Sequence, residues 1–289
     1  MIELKKKVTA EETFWRPSLS ILKSIVFLLH CMYKNGEEHM QKNSNNINNE
    51  SEFTTIQKDL AKELSSFIGK LEGLDEYRLP LRAYHIIRLA VRDLVLPPGK
   101  TILEREMSEI LQMSRTPVRE ALVRLETEGV VRLIPRKGFI VEPIEKEDLK
   151  EVYEIVETLD GLAIEMATKK VDEMEIKQLE SIITKQEKAL ENNDLKQWAV
   201  LDDHFHALII KFAKSKRLKA IIDSNSDQTY RARLFTINYR PLPLRSIIEH
   251  KAIVKCMEAK DENAARVVMQ SHRSRARKEI LVALNKIEE

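Results

Sequence analysis

Four residues in the second half of the chain have the types and spacing of a metal shell. Asp202 and His206 are four apart, so on a helix they share a face. His250 follows Ile247-Ile248-Glu249 in a second helical run, and His272 lies among Val267, Val268 and Met269 in a third. One carboxylate and three imidazoles make a nitrogen-rich set for a divalent transition metal, with coordination positions left for water or a ligand. Periodicity alone leaves a second reading open, because a histidine on a partly apolar helix face is commonly a satisfied core residue. Asp and His around an open metal can also activate water. A metal-dependent enzyme acting on a small carboxylate is therefore the alternative function. Such an enzyme needs a general base beside the metal. Asp203 and His204 are near in sequence, but their helical direction is expected to point them elsewhere.

A second group of residues suits a polyanion. Arg115 and Arg119 stand at the start of a helical run, where cations oppose the helix dipole by about 0.3–1 kcal/mol each. Local misfits of this kind are tolerated chiefly where function requires them. A phosphate backbone or a guanine edge would supply the requirement, although solvated arginines or pairs with acidic neighbours would look the same from sequence. Arg136-Lys137-Gly138 adds two cations and a glycine that permits close backbone approach. Residues 78–142 hold 12 Lys and Arg against 8 Asp and Glu, so this segment nets +4 while the whole chain nets +2. Arg124 is expected to pair with Glu120, one turn away.

The elements that must position these groups can be read from periodicity. Leu81 to Leu96 reads as a helix closed by Pro97-Pro98-Gly99, and Leu103 to Leu111 as a shorter one. A third helix buries Val118, Ala121, Leu122 and Leu125, with Thr116 as N-cap, Pro117 in the first turn and Gly129 at its end. Val130–Ile134 and Phe139–Val141 are β-like runs joined through Pro135-Arg136-Lys137-Gly138. Three helices and a hairpin make a winged helix-turn-helix over 78–142. From 145 to 286 the pattern is helical throughout, in six runs near 147–169, 172–192, 194–214, 217–238, 244–259 and 261–286, with Asp261 as an N-cap. The fold class is mainly α: a winged head followed by an all-helical bundle that could hold a ligand.

Composition agrees and excludes alternatives. With 289 residues, 7 Gly and 9 Pro, a turn-rich sandwich or barrel is disfavoured. Near-neutral total charge disfavours an architectural nucleic-acid coat. Cys31 and Cys256 are too few and too far apart for a disulfide framework, which points to free thiols in a reducing cytoplasm. Ser18 to Tyr33 has too short an apolar core for a bilayer span of about 20 residues, and no small-residue cleavage site follows it, so no membrane association is expected. Residues 1–54 are read as an extension outside both domains. Gly36-Glu37-Glu38 lies where a ribosome-binding sequence would precede a start at Met40, so 1–39 are read as an over-extended gene start. The asparagine-rich stretch around 43–49 is expected to be flexible. Residues 55–77 are read as an extra amphipathic segment, helical over 55–72, that packs on a neighbour or a dimer partner.

Several motifs carry a specific resemblance. Glu104-Arg105-Glu106-Met107, Ser114-Arg115-Thr116-Pro117-Val118-Arg119-Glu120-Ala121-Leu122, Leu125-Glu126-x-Glu128-Gly129 and Arg136-x-Gly138-x-x-Val141 resemble the DNA-binding domain of GntR-type bacterial transcriptional regulators. The resemblance implies operator contacts by Arg105, Arg115, Arg119 and the wing residues Arg136, Lys137 and Gly138, with Ser114 and Thr116 on phosphates. Gln112-Met113 replaces a common Gly-Val. Asp202-x-x-Phe205-His206, Glu249-His250 and Asp261-x-x-x-Ala265 running to His272 resemble the FCD-type domain of the FadR branch. That likeness implies a metal held by Asp202, His206, His250 and His272 beneath a small organic-acid effector, with zinc or nickel favoured and manganese or iron also compatible. It further implies a homodimer on double-stranded, palindromic operator DNA, acting as a repressor. The chain departs from the branch at Val156, where relatives commonly carry a cavity-facing arginine, and at Asp160, where they carry glutamate. Arg231 and Arg233 are the candidates to supply the effector's cation.

Overall fold

The computed structural model describes residues 61–288, and the readings made for 1–60 lie outside the described residues. Among the described residues the molecule is a small winged head followed by a six-helix bundle. The helical turns over 61–68 belong to the head. Leu64 is fully buried in its core, with Phe67, Ile68 and Leu71 packed alongside. This part of the extra segment therefore closes the head's own core.

Helix α1 spans Leu79–Arg92, with a proline in its first turn, and buries Ala83, Ile86, Ile87 and Ala90. The chain turns through Gly99, whose φ of +75° suits a residue without Cβ. Strand β1 (Thr101–Ile102) leads into α2 (Glu104–Leu111). Gln112 then takes a left-handed conformation, with φ +53°. Helix α3 (Arg115–Thr127) buries Val118, Ala121, Leu122 and Leu125. Thr116 is not its cap: Ser114 holds that position, and Thr116 lies within the first turn. Gly129 ends the helix at φ +70°.

Strands β2 (Val131–Ile134) and β3 (Gly138–Val141) form the antiparallel hairpin of the wing. The sheet has a third member that the sequence did not announce. β1 pairs with the free side of β3, giving the order β1-β3-β2. Two residues are too short to show a period of two, so only tertiary pairing reveals this strand. It also explains Gly138, whose φ is +93° and where a Cβ would lie 2.7 Å from the Ile102 carbonyl oxygen.

The bundle comprises α4 (Lys146–Lys170), α5 (Glu173–Glu191), α6 (Leu195–Phe212), α7 (Lys216–Thr236), α8 (Leu244–Glu258) and α9 (Glu262–Glu288). Four of its six helix starts carry a side-chain cap, and those of α4 and α8 do not. Asp172 and Glu175 form a capping box, Asp194 accepts from Gln197 N at 2.9 Å, and Asp261 accepts from Ala264 N at 2.9 Å. Trp198, Phe205, Ile209, Phe212, Ile253, Met257 and Met269 are all buried in one core, each large side chain contributing about 1.5–3 kcal/mol. α4 and α9 lie so close that a Cβ on Gly161 would meet the Gln270 side chain at 2.9 Å. Among the described residues, no helix is long and apolar enough to cross a membrane. Cys256 is a free thiol, and Cys31 lies outside the described residues.

Candidate metal centre and nucleic-acid interface

Asp202, His206, His250 and His272 converge from α6, α8 and α9 inside the bundle. All four are buried, and each offers one ligand atom within 4.8 Å of the others. Polar groups in an apolar core are costly unless they are partnered. Here some are and some are not. His250 Nδ1 lies 2.9 Å from the Gln186 Oε1 of α5, and His272 Nδ1 lies 2.8 Å from a Glu249 carboxylate oxygen. Arg233 Nη1 stands 2.9 Å from Asp202. Yet both ring nitrogens of His206 and Nε2 of His250 are buried with no hydrogen-bond partner. Asp202 sits 3.5 Å from His250 Nε2 and 3.9 Å from His206 Nε2. Those separations are too long for good hydrogen bonds. Orphaned nitrogens facing a carboxylate across such gaps are what a cation would bind.

The electrostatics suit the same occupant. Burial, the neighbouring arginines and the other histidines hold the His206 imidazole well below its ordinary range. Burial, with His272 next, pushes His250 down to about 3. His272 is also lowered by burial. Neutral rings keep the lone pairs a metal needs. Burial alone would raise Asp202, but Arg233 and the histidines hold it lower and so ionised. Burial likewise acts to raise Glu249, yet its bonds to His272 and Arg275 bring it down to about 2.

A cavity of about 440 Å³ adjoins this cluster, with His206 in its lining. Val156, Thr229, Arg233 and Arg273 also line it. Arg233 and Arg231 are two apart on α7, so they cannot face the same way. Arg233 is the one in this cavity, while Arg231 lines a different cleft and donates to the Glu142 carbonyl. Burial lowers Arg231 to about 10. Arg273 was missed from sequence. It is buried and paired with Asp160 at 2.6 Å. The signal was there in Asp160, an acid on an otherwise core-facing position of α4. Asp203 and His204 were expected to point elsewhere, but both line this cavity.

The polyanion-reading residues lie on the head's surface. Arg105, Ser114, Arg115, Thr116, Arg119, Arg136 and Lys137 are all exposed. Arg115 has no ion pair among the described residues. Arg105 stands 3.6 Å from Glu109, and Arg119 stands 3.9 Å from Glu104. Exposed pairs at such range are worth about 0–1 kcal/mol, so these cations are available to a phosphate. Arg136 sits at φ +67° in the turn that precedes Gly138. Arg124 does not pair with Glu120. It binds Glu128 at 3.1 Å and lies over the Tyr84 ring at 3.8 Å.

The head and the bundle meet through α1 and α7. Arg88 bonds Asp227 at 2.5 Å, and Arg92 reaches Asp203 at 3.7 Å while lying 4.3 Å over the Tyr230 ring. α7 thus carries Thr229 and Arg233 toward the cavity, and Asp227, Tyr230 and Arg231 toward the head.

Comparison with known proteins gives a consistent picture. Residues 79–141 match the family described as "Bacterial regulatory proteins, gntR family", and residues 151–275 match the FCD domain. The chain is 40% identical over 134 residues to an HTH-type transcriptional regulator from the TAR-I ttuE-ttuC' intergenic region of Agrobacterium vitis, covering 45% of this chain and 78% of that protein. It is 25% identical over 189 residues to the HTH-type transcriptional repressor RspR of Escherichia coli, covering 65% and 83%. The solved structure of E. coli McbR/YncC superposes with a TM-score of 0.64 at 22% identity, covering 73% of this chain and 99% of that one.

Proposed function

The chain belongs to the gntR family of bacterial regulatory proteins and carries an FCD domain behind its winged helix, and on that premise we propose that it is a repressor whose grip on DNA responds to a small organic acid. Its relatives are transcriptional regulators, and it is not an enzyme. It works on the chromosome, and hence in the cytoplasm. As a homodimer it presents two winged heads to the two halves of a palindromic operator. Arg115 and Arg119 at the start of α3 read base edges or phosphates, with Arg105, Ser114 and Thr116 on the backbone. Arg136, Lys137 and Gly138 bring the wing to the adjacent groove.

The observation that carries the effector half is the shared border of metal cluster and cavity at His206. Asp202, His206, His250 and His272 would hold a divalent ion, zinc or nickel by preference, with manganese or iron also compatible with the donor set. When bound, the ion supplies a Lewis-acid position for a carboxylate oxygen. Arg233 and Arg273 set the cavity's charge for an anion, and Val156 with Leu208 and Ile222 packs its apolar part. Arg231 faces the head and takes no part in this site. Binding changes the wall formed by α6 and α7, and the contacts of Arg92 and Arg88 carry that change to the heads. A ligand shifts such an equilibrium only through its unequal affinity for the two arrangements.

A thermal-shift screen of organic acids, run with and without chelator, tests this reading. An acid at 100 times its Kd stabilises by about 2.7 kcal/mol. The expected result is stabilisation by particular acids that disappears with chelator. Stabilisation that survives full removal of metal would overturn the metal-floor part of the proposal.

A further inference from the structure

The wing is tied to the bundle at its base. Glu142 directly follows β3 and closes the hairpin. Its backbone N–H donates to the Val130 carbonyl at 3.0 Å, and its carboxylate accepts from Arg132 Nε of β2 at 2.8 Å. Its carbonyl instead accepts from Arg231 Nη2, on α7 of the bundle. Arg231 is only 8% exposed. Burying a cation is costly, and an apolar residue of similar size in its place is often as stable or more so. A buried guanidinium on a backbone carbonyl is therefore a weak device for stability. It is a good one for position, because the bond holds the chain itself and does not depend on the side chain at 142. Asp227 and Tyr230 of α7 hold α1 through Arg88 and Arg92, whereas Arg231 holds the wing. The surroundings leave room for movement. Arg231 lines a cleft of about 500 Å³, bordered by Gly129, Val130 and Pro143 of the head side and by Asp148 and Gln228 of the bundle. The hairpin has four residues in each strand, a length of about 13 Å. Arg136 and Lys137 stand at its far end, so a small tilt at the base is a larger displacement of those cations. Two positions beyond Arg231, Arg233 lines the cavity.

We infer that Arg231 is the positioning residue of the wing: by gripping the Glu142 carbonyl it fixes the angle at which the hairpin leaves the head, and so sets whether Arg136 and Lys137 reach DNA together with α3. This rests on the reading above that the wing contacts DNA. Arg231 itself touches neither the DNA nor the contents of the cavity. It acts through the backbone at 142, and the helix that carries it also forms a wall of the cavity.

A double-mutant cycle on DNA binding tests this, using the full chain and a duplex that the wild-type chain selects from a random pool. R136A/K137A removes the charges of the wing. R231M and R231Q each remove the tether, the first keeping an apolar stem in the buried site and the second a polar end. In the wild-type background R136A/K137A should weaken binding and reduce the slope of log affinity against log salt by about 2, near 0.9 for each phosphate contact. R231M and R231Q should each reduce that slope by about 1 or more, although neither removes a charge from the wing. Adding R136A/K137A to either should then weaken binding by less than about half as many powers of ten as it does in wild type. Melting curves show that each variant is folded. An arginine that only stabilised the junction would lower the melting temperature and leave the contribution of the wing whole. Full additivity in the folded Arg231 variants, with the wild-type salt slope, overturns the inference. A wild-type chain whose affinity and salt slope are unmoved by R136A/K137A would instead defeat the wing reading itself.

Discussion

Arg92 and Asp203 meet across the junction of the two domains at 3.7 Å, and Asp203 directly follows Asp202 of the metal cluster. Successive positions on α6 therefore address different clients. Asp202 points into the bundle toward the histidines, while Asp203 borders the cavity and touches the head. Burial pushes the Asp203 carboxyl up, with Arg233 and Arg92 partly offsetting it. A group balanced in this way is sensitive to any anion that enters beside it.

Arg92→Ala, or Asp203→Asn, should leave metal content and operator affinity near wild type while reducing the effect of an acid on that affinity. Allosteric couplings are typically 1–3 kcal/mol, or about 5–150-fold. Anisotropy titrations with and without the acid measure the coupling in each variant. An unchanged ratio in both variants would show that the signal takes another route.

Arg115→Ala and Arg119→Ala should each weaken operator binding by about 1–3 kcal/mol and leave metal binding intact. Neither arginine supports the fold, since both side chains are exposed and the Arg119–Glu104 separation is 3.9 Å. Lys137→Ala should act differently, lowering the salt dependence by about one phosphate contact with little loss of sequence preference. Gel-shift titrations over a salt series separate these outcomes.

Gly138→Ala should destabilise the head. The new Cβ would meet the Ile102 carbonyl oxygen at 2.7 Å, and φ is +93°. Strain of this kind costs about 1–3 kcal/mol. A lower melting temperature for the isolated Gly138→Ala change, with unchanged metal binding, is the expected result. Weakened DNA binding at full stability would assign Gly138 to groove contact alone.

The metal-free protein should lose stability in mild acid. Burial lowers His206, His250 and His272 below the ordinary histidine value of about 6.5. Above that value the rings are neutral both folded and unfolded, so they add no pH dependence. Below it the unfolded chain binds protons that the folded chain refuses. Stability therefore falls as pH drops from about 6.5 toward the folded value of His250, about 3. Denaturant melts of the chelated protein between pH 7.5 and 5 check the slope. A flat profile would mean the rings are protonated in the fold.

Much of this was legible because helical patterns are local. The spacing of Val118, Ala121, Leu122 and Leu125 announces α3 without any tertiary knowledge, and Asp202 with His206 marks one helix face. What failed depends on partners far away in sequence. Arg124 has an acid one turn to either side, and the geometry around Tyr84 and Glu128 decides between them. Arg231 and Arg233 look equivalent as cations, but two residues of helix rotation send one to the head and the other to the cavity. Arg273 is hidden in sequence beside a more conspicuous histidine, and only its pairing with Asp160 reveals it. β1 exists only through its ladder with β3.

The most direct measurement is operator affinity of the metal-loaded protein, on a duplex selected by the wild-type chain from a random pool. It is taken with and without the acid that stabilises the protein, and repeated on the H250A/H272A double variant. The wild-type Kd should shift by at least about fivefold, the low end of ordinary coupling. The double variant should bind the duplex, carry no metal and show no shift. A wild-type Kd that no stabilising acid moves, or an equal shift in the double variant, would contradict control of DNA binding by a metal-bound acid.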